Sequence, residues 1–124
     1  MSRAVQVGPE KVKEILRDFP ELKEEISTGG ARPLHMCGMS SRNQYSTRAL
    51  IDAGADVHAQ DTYGYTPLHR MASNNLAAGG EALVQAGVDP NAPVEGADST
   101  PIEIARRSRA IDFLMAMQRL GHYD

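Results

Sequence analysis

Two interlocked repeats with a period of 33 or 34 residues constrain this sequence more than any other feature. The first is a short segment with proline in second place, at residues 32–35 (RPLH), 66–69 (TPLH) and 100–103 (TPIE). The second is an apolar stretch around a glycine, at residues 49–57 (ALIDAGADV) and 82–90 (ALVQAGVDP), with a further glycine at position 121. In each unit the glycine follows the proline by 20 or 21 residues. Such a fixed period is typical of stacked units that bury their apolar faces against one another.

Each unit carries the start and stop signals of two helices. A threonine before a proline favours a helix start, because the hydroxyl caps the first turn and the proline needs no N–H there. A glycine favours a helix end in the left-handed conformation. Residues 55–65 are polar, which predicts an extended loop with a tight turn at 61–64. The residues that carry the start and stop signals are Thr66, Pro67, Thr100, Pro101, Gly54 and Gly87.

The two ends of the chain follow the same plan. Val12, Ile15 and Leu16 have helical spacing, and residues 110–120 form a similar apolar pattern. We therefore expect one domain over residues 1–124, with units at 1–30, 31–64, 65–98 and 99–124. The leading helix of the first unit is expected to be truncated or frayed, and the outer two units to act as caps.

Three departures from the repeat predict local irregularity. Gly79 and Gly80 lie early in the second helix of the third unit, where two glycines cost about 2 kcal/mol relative to alanine. We therefore expect a shortened helix that begins near Gly80 or Glu81. Arg106 stands in place of a small inward residue of the last unit. Asp98 stands where the previous loop has a glycine, which predicts an irregular loop over 90–99.

These segments resemble the ankyrin-repeat family. The family motif T-P-L-H-x-A is matched by residues 66–72 (TPLHRMA), with Met71 in place of its first alanine. Residues 53–57 (AGADV) match the family's G-A-D-V segment, and Asp61 and Gly64 match its finger turn. The resemblance implies an all-α solenoid of about four stacked helix-turn-helix units, joined by β-hairpin-like finger loops. It also implies a protein-binding role.

The motif residues have a structural role on this interpretation. In the family the motif histidine, here His35 or His69, hydrogen-bonds locally and holds turn and helix together. The alternative, a metal site, is disfavoured because stacked units separate the imidazoles and no carboxylate or thiolate completes the set. The expected structural residues are Thr66, Pro67, Leu68, His69, Pro33, Leu34, His35, Thr100, Pro101, Gly54 and Gly87.

No sequence pattern indicates catalysis. Cys37 near a histidine suggests a nucleophile, but it falls where the family has a small buried alanine, which favours a packed and inert thiol. P-loop, dinucleotide, G-x-S-x-G and metalloprotease motifs do not occur. We therefore expect no enzyme activity, no cofactor and no metal.

The resemblance implies a concave face made of fingers and inner helices. Tyr63 and Tyr65 flank Gly64 at the tip of one finger, where a tyrosine buries much area for little entropy on binding. The alternative is that one tyrosine packs over its neighbouring finger. The expected partner-binding residues are Tyr63, Tyr65, Thr62, Arg70, Ser73, Asn74, Asn75, Met39, Ser40 and Arg107.

The net charge of the chain disfavours some classes of binding partner. The formal net charge is −3, so no global positive field attracts nucleic acid or an anionic membrane. No apolar stretch is long enough to span a membrane. Arg106, Arg107 and Arg109 form a local basic cluster, for which a solvated surface is the favoured interpretation. The alternatives are an acidic patch on a partner protein and, less favoured, RNA phosphate.

Two loop positions match sites at which proteins of this family are hydroxylated. The resemblance implies Asn91 and His58 as these positions, each two residues after an aspartate. Hydrogen bonding within the loop is the favoured alternative role for both residues.

The sequence thus predicts a protein–protein interaction module. It would act by occupying a surface of its partner, as an adaptor, inhibitor or assembly factor. The alternative is a permanent structural subunit of a larger complex, toward which the glycine pair and the weak fingers lean slightly. An enzyme is the least favoured class. The protein is expected to be a monomer alone or a subunit of a hetero-complex. One cysteine and the lack of a secretory signal pattern favour an intracellular location, cytoplasmic or nuclear.

Overall fold

The computed structural model describes residues 1–124 as a row of four helix pairs without β-strands. The helices are α1 (Ser2–Val7), α2 (Pro9–Asp18), α3 (Pro33–Met36), α4 (Thr47–Asp52), α5 (Pro67–Ser73), α6 (Ala77–Gln85), α7 (Pro101–Arg107) and α8 (Ile111–Arg119). Short 3₁₀ helices lie at Pro20–Glu24, Thr28–Gly30 and Asn43–Ser46. The predicted all-α class is confirmed. None of these helices is long and apolar enough to cross a membrane.

The helices form two rows. The first helices of the pairs, α1, α3, α5 and α7, contact one another in succession, and so do the second helices, α2, α4, α6 and α8. A continuous core lies between the rows, because each unit covers the apolar face of the one before it. Its largest fully buried side chains include Phe113, Leu34, Leu50, Leu68, Met71, Leu83 and Met117.

The first helices of the last three pairs begin with the same local device. Each has proline at its first position, where no N–H donor is needed. Before α7, the hydroxyl of Thr100 accepts the N–H of Glu103 at 3.1 Å, and the Glu103 carboxylate accepts the N–H of Thr100 at 2.9 Å. Before α5, the N–H of Thr66 donates to Nδ1 of His69 at 3.2 Å. Histidine and glutamate thus fill the same capping position in different units.

The prediction that the second helix of the third unit begins near Gly80 or Glu81 is wrong, since α6 begins at Ala77. Both glycines are buried where α6 approaches its neighbours. A Cβ atom on Gly79 would lie 2.5 Å from Sδ of Met71, and one on Gly80 would lie 2.6 Å from Cε2 of Phe113. The glycine pair therefore allows α6 to pack closely against α5 and α8, and this packing outweighs the low helix propensity of glycine.

Arg106 lies on the surface, although it replaces a small inward residue of the repeat. Its equivalent one unit earlier, Ala72, is fully buried, whereas Arg106 is exposed. The reason is that α7 is the last helix of the first row, so no further helix covers that side of it.

Three loops form the fingers, which we define as residues 27–31, 61–65 and 94–98. The second finger closes through hydrogen bonds from the N–H of Asp61 to the Tyr65 carbonyl at 2.9 Å and from the N–H of Gly64 to the Asp61 carbonyl at 3.0 Å. The fingers are therefore turns rather than strand pairs. In the third finger the left-handed residue is Gly96, with φ 92°, and not Asp98. This loop differs from the second finger because its glycine comes two residues earlier in the repeat.

Neighbouring fingers pack backbone to backbone. The N–H of Thr62 donates to the Gly29 carbonyl at 3.0 Å. The side-chain amide of Gln60 donates to the carbonyls of Gly64, at 2.8 Å, and Glu95, at 2.6 Å. A Cβ atom on Gly64 would overlap the carbonyl oxygen of Gly96, so only glycine permits this approach.

Candidate functional site

The second finger is organised around the buried carboxylate of Asp61, which sequence analysis had matched to a turn but not to a site. Its Oδ1 accepts the N–H groups of Tyr63, at 2.9 Å, and Tyr65, at 3.0 Å. Its Oδ2 accepts Nε and Nη2 of Arg70 at 3.1 and 2.6 Å. Four donors from two elements thus fix the finger to helix α5.

Electrostatics favours the ionised form of this carboxylate. Burial by itself would raise the pKa of Asp61. The hydrogen bonds from Arg70 and from the N–H groups of Tyr65 and Tyr63, together with the Arg70 charge, outweigh burial and lower that pKa below its ordinary value. The network therefore stays intact throughout the neutral pH range.

The two finger tyrosines have different environments. The ring of Tyr65 stacks on His69, with centroids 5.3 Å apart and planes inclined by 17°. The guanidinium carbon of Arg70 lies 4.9 Å from the Tyr65 ring centroid and 5.8 Å from that of Tyr63, within cation–π range. Tyr63 is 71% exposed, and Tyr65 is half-buried. Tyr65 thus packs within the chain, while Tyr63 is presented to solvent on a fixed finger.

The two motif histidines link successive units as well as capping their own helices. His35 Nε2 donates to the Tyr65 carbonyl and His69 Nε2 to the Ser99 carbonyl, both at 2.8 Å. Because a carbonyl can only accept, Nε2 carries the proton and Nδ1 is free to accept the capping N–H. Both side chains are fully buried. The chain contains no group of three or more His, Cys, Asp or Glu residues that could hold a metal ion.

Burial also determines how these histidines titrate. Desolvation lowers the pKa of His35 and of His69 below 6.5, and the hydrogen bonds to the Tyr65 and Ser99 carbonyls oppose this shift only in part. The native state therefore binds fewer protons than the unfolded state between the lowered pKa and 6.5. In that window the free energy of unfolding rises with pH.

We therefore expect acidification to destabilise the fold. The stabilisation by neutral histidines is fully present above pH 6.5 and falls as the pH drops below it. Urea unfolding followed by circular dichroism over this range measures the effect, and His69→Gln should reduce the pH dependence. His58→Asn is the matched control because His58 is exposed. An equal reduction in both variants would contradict the assignment to the buried histidines.

The remaining expected binding residues lie away from the finger tip. Four of them line an open groove of about 550 Å³ between the helix-connecting turns, which we name the turn groove. Tyr45 and Asp112 also line it, and sequence analysis missed both. Tyr45 is 61% exposed, and an aromatic residue directly after the polar stretch 40–44 was the signal that could have revealed it. The four expected residues in the turn groove are Met39, Ser40, Asn74 and Asn75.

Asn74 and Asn75 have their polar groups occupied within the chain. The Asn74 amide donates to the Gly38 carbonyl at 2.6 Å. The Asn75 amide accepts the N–H of Phe113 at 3.0 Å and donates to Asp112 at 3.2 Å. These asparagines connect successive turns, so less of their hydrogen-bonding capacity is free for a partner.

Three of the expected residues, one of which also lines the turn groove, occupy equivalent positions along the first row. Met39, Ser73 and Arg107 are 34 residues apart, and all are exposed. Thr62 is also exposed, but its hydroxyl donates to the Gly29 carbonyl and links two fingers. Tyr63 on the second finger and this row of side chains are therefore exposed to solvent.

The two loop positions implied as hydroxylation sites have the same local geometry. The N–H of His58 donates to Oδ1 of Asp56, and the N–H of Asn91 donates to Oδ1 of Asp89, both at 2.9 Å. The Asn91 amide also donates to the His122 carbonyl at 2.7 Å. Hydrogen bonding within the loops thus operates at both positions, although both residues are exposed.

Cys37 lies in the core beside helix α3. It is fully buried, and burial raises the pKa of its thiol to about 12. A thiol in this state is neither a nucleophile nor a metal ligand at neutral pH.

A thiol-reactive maleimide should therefore leave the native protein unlabelled. We expect labelling of Cys37 only after urea unfolding, as measured by intact-protein mass spectrometry. Ser73→Cys provides the control, because an exposed thiol at that position reacts in the native state. Rapid native labelling of Cys37 at the rate of this control would contradict the buried assignment.

Comparison with known proteins agrees with this architecture. The sequence model of ankyrin repeats matches residues 50–105. Cyclin-dependent kinase 4 inhibitor B of Mus musculus is 30% identical over 94 residues, which cover 75% of this chain and 72% of that protein. The chain belongs to the ankyrin-repeat family. This confirms the resemblance identified in the sequence.

Other relatives of this ankyrin-repeat protein are longer. Ankyrin repeat and SOCS box protein 16 of Homo sapiens is 35% identical over 68 residues, 55% of this chain and 15% of that protein. Protein phosphatase 1 regulatory subunit 27 of Mus musculus is 29% identical over 89 residues, 72% of this chain and 57% of that protein. The chain thus spans a minor part of the first of these proteins. The names of the kinase inhibitor and the phosphatase subunit describe proteins that regulate other proteins.

Proposed function

We propose that this ankyrin-repeat protein binds another protein through its fingers and first-row helices, the concave face of the family. The observation that carries the proposal is Tyr63, which is 71% exposed on a finger fixed by the Asp61–Arg70 ion pair. An aromatic side chain that is held in place before binding buries a large area at low entropic cost. This combination is typical of a binding hot spot.

The first-row side chains extend this surface. Met39 is 48% exposed, and Ser73 and Arg107 follow at equivalent positions in the next two units. Together they offer an apolar, a polar and a cationic contact below the Tyr63 finger. Three further residues support this surface because they connect successive units: Asn74, Asn75 and Thr62. The finger itself is fixed by Tyr65 and Arg70.

In this proposal the protein acts by occupying a surface of its partner, as an adaptor, inhibitor or assembly factor. The names of two relatives, a kinase inhibitor and a phosphatase regulatory subunit, support this class. The alternative is a permanent subunit, toward which the glycine pair at 79 and 80 and the irregular fingers lean slightly. Both glycines lie in close helix packing, so the first of these reasons no longer applies. A regulator of this kind should unfold cooperatively as a monomer.

Native affinity purification with mass spectrometry tests the proposal by comparing wild type with Tyr63→Ala. We expect the variant to lose a partner that the wild type retains, with about 30-fold weaker affinity, the loss of one hot-spot side chain. Phe19→Ala is the matched control, because Phe19 is also an exposed aromatic residue but follows helix α2, outside the fingers and the first row. Circular dichroism first establishes that both variants fold. Equal partner sets for both variants, or no partner for wild type, would reject the proposal.

The protein is also proposed to act without catalysis and in a reducing compartment. The buried thiol of Cys37, with its pKa of about 12, supports the first point. A single cysteine, which can form no disulfide within the chain, supports an intracellular site, cytoplasmic or nuclear. Imaging of the tagged protein tests the location. Hydroxylation at Asn91 or His58 would appear as one added oxygen atom in the peptide that contains the residue.

A further inference from the structure

Three arginines at the C-terminal end of helix α7 form a surface that we name the arginine patch. Arg106, Arg107 and Arg109 are all exposed. None of the three forms an ion pair with a carboxylate, whereas Arg32, Arg70 and Arg119 do. The patch therefore combines three guanidinium groups whose charges are not paired within the chain.

One guanidinium of the patch is held in place before any binding event. Nη1 of Arg107 donates to Oγ of Ser99 at 2.8 Å. Ser99 is buried, and its carbonyl accepts Nε2 of His69, so it is itself fixed by the preceding unit. A side chain restrained in this way loses less entropy when it pairs with a ligand.

A second observation comes from the backbone of Arg109. Its φ is 53°, in the left-handed region, as is that of Asn75 at 59° one unit earlier. Asparagine is enriched in this conformation and arginine is not. Asn75 uses its side chain to bind the next unit, whereas Arg109 makes no side-chain hydrogen bond within the chain. A left-handed backbone kept at a residue whose side chain makes no hydrogen bond or ion pair within the chain points to a role for that side chain outside the chain.

The surroundings of the patch leave room for anionic groups. Arg106 and Arg107 line an open depression of about 400 Å³ together with Glu103. The Glu103 carboxylate is occupied by the capping hydrogen bond from Thr100 at 2.9 Å. One capping carboxylate beside three guanidinium groups leaves the local charge positive on a chain whose net charge is −3.

We propose that the arginine patch binds an acidic segment of the partner protein, whose Asp or Glu carboxylates pair with Arg106, Arg107 and Arg109. The planar guanidinium group matches the carboxylate in paired hydrogen bonds. Nucleic acid is the weaker candidate, because an acidic chain with three unpaired arginines lacks the broad positive field that phosphate backbones require. The proposal rests on the proposed function and specifies the chemistry of the partner.

The test uses fluorescence anisotropy with a labelled oligoglutamate peptide at about 50 mM salt, where surface charges are weakly screened. We expect the triple variant Arg106→Gln/Arg107→Gln/Arg109→Asn to bind about tenfold more weakly than wild type, the sum of three exposed ion pairs. The control removes the same charge elsewhere, with Arg3→Gln/Arg17→Gln/Arg42→Gln, and should change the affinity less than about twofold. Tyr63→Ala should bind the peptide with the same affinity as wild type. Failure of this proposal can therefore be distinguished from failure of the proposed function, which Tyr63→Ala tests by partner capture.

Further variants keep the result interpretable. Arg106→Gln/Arg109→Asn leaves the Arg107–Ser99 bond intact and should still weaken binding if the patch is the site. Arg109→Asn alone should raise the unfolding midpoint while lowering peptide affinity, because asparagine suits φ 53° better. Equal losses in the triple variant and its control, or tighter binding of a single-stranded DNA oligomer of equal charge, would overturn the proposal.

Discussion

Replacing Gly80 with alanine should lower the free energy of unfolding by about 1–3 kcal/mol, the usual cost of overpacking a core. The same change at an exposed helix position would instead stabilise the helix by about 1 kcal/mol. The sign reverses because the new Cβ would lie 2.6 Å from Cε2 and 2.9 Å from Cδ2 of the fully buried Phe113 ring. Urea unfolding of the two proteins measures the difference.

Gly79→Ala is the matched control for this prediction. The new Cβ there would meet the flexible end of Met71, which can move aside at low cost. A double-mutant cycle with Phe113→Leu tests the cause, since Gly80→Ala should cost less in the leucine background. Stabilisation by Gly80→Ala in the wild-type background would show that α6 and α8 are not in close contact.

Removal of the Asp61 carboxylate is the second large effect that we expect. Asp61→Ala leaves the N–H groups of Tyr63 and Tyr65 and the guanidinium of Arg70 without their acceptor, at a cost of about 3 kcal/mol. Asp61→Asn keeps an oxygen for the N–H groups but loses the ion pair, so its cost should be smaller. Chemical denaturation measures both variants, and partner binding should fall with them because the Tyr63 finger is no longer fixed.

Asp98→Ala provides the comparison for Asp61. Asp98 is exposed, and its only side-chain hydrogen bond is a 3.5 Å contact from the Tyr65 hydroxyl. Its replacement should change stability by less than about 0.5 kcal/mol. If Asp61→Ala lowered the free energy of unfolding no more than Asp98→Ala, the finger would be held by its backbone hydrogen bonds alone.

Local signals predicted much of the fold, because they act within a few residues. The Thr-Pro pairs at residues 66–67 and 100–101 mark helix starts, and α5 and α7 begin at these prolines. The glycines at 54 and 87 have positive φ, as a left-handed residue after a helix requires. Each of these signals depends on one residue and its backbone.

The close packing of the third unit could not be predicted in this way. The role of Gly80 depends on Phe113, which is 33 residues further along the chain, and only the stacked structure brings them together. Helix propensity alone therefore gave the wrong start for α6. The repeat likewise matches Arg106 to a small inward residue, and its exposure depends on the absence of a further helix over α7.

In the candidate site too, features that depend on neighbouring residues were predicted, and those that depend on residues far apart in the sequence were not. Tyr63 was expected at an exposed finger tip from the adjacent Gly64, and it is exposed. The network that fixes it could not be recognised, because Asp61 and Arg70 are nine residues apart in different elements. Tyr45 and Asp112 line one groove although they belong to different units, so no local pattern joins them.

The histidine hydrogen bonds give the stack a direction. Each of the two histidines donates forward, to a carbonyl in or next to the finger that follows its own helix pair. At the third equivalent position Glu103 accepts backward, from Thr100, so the series ends there. Loosening one finger should therefore weaken the preceding unit, through the lost histidine bond, as well as the helix that follows. Hydrogen exchange would record this as loss of protection on both sides of the loosened finger.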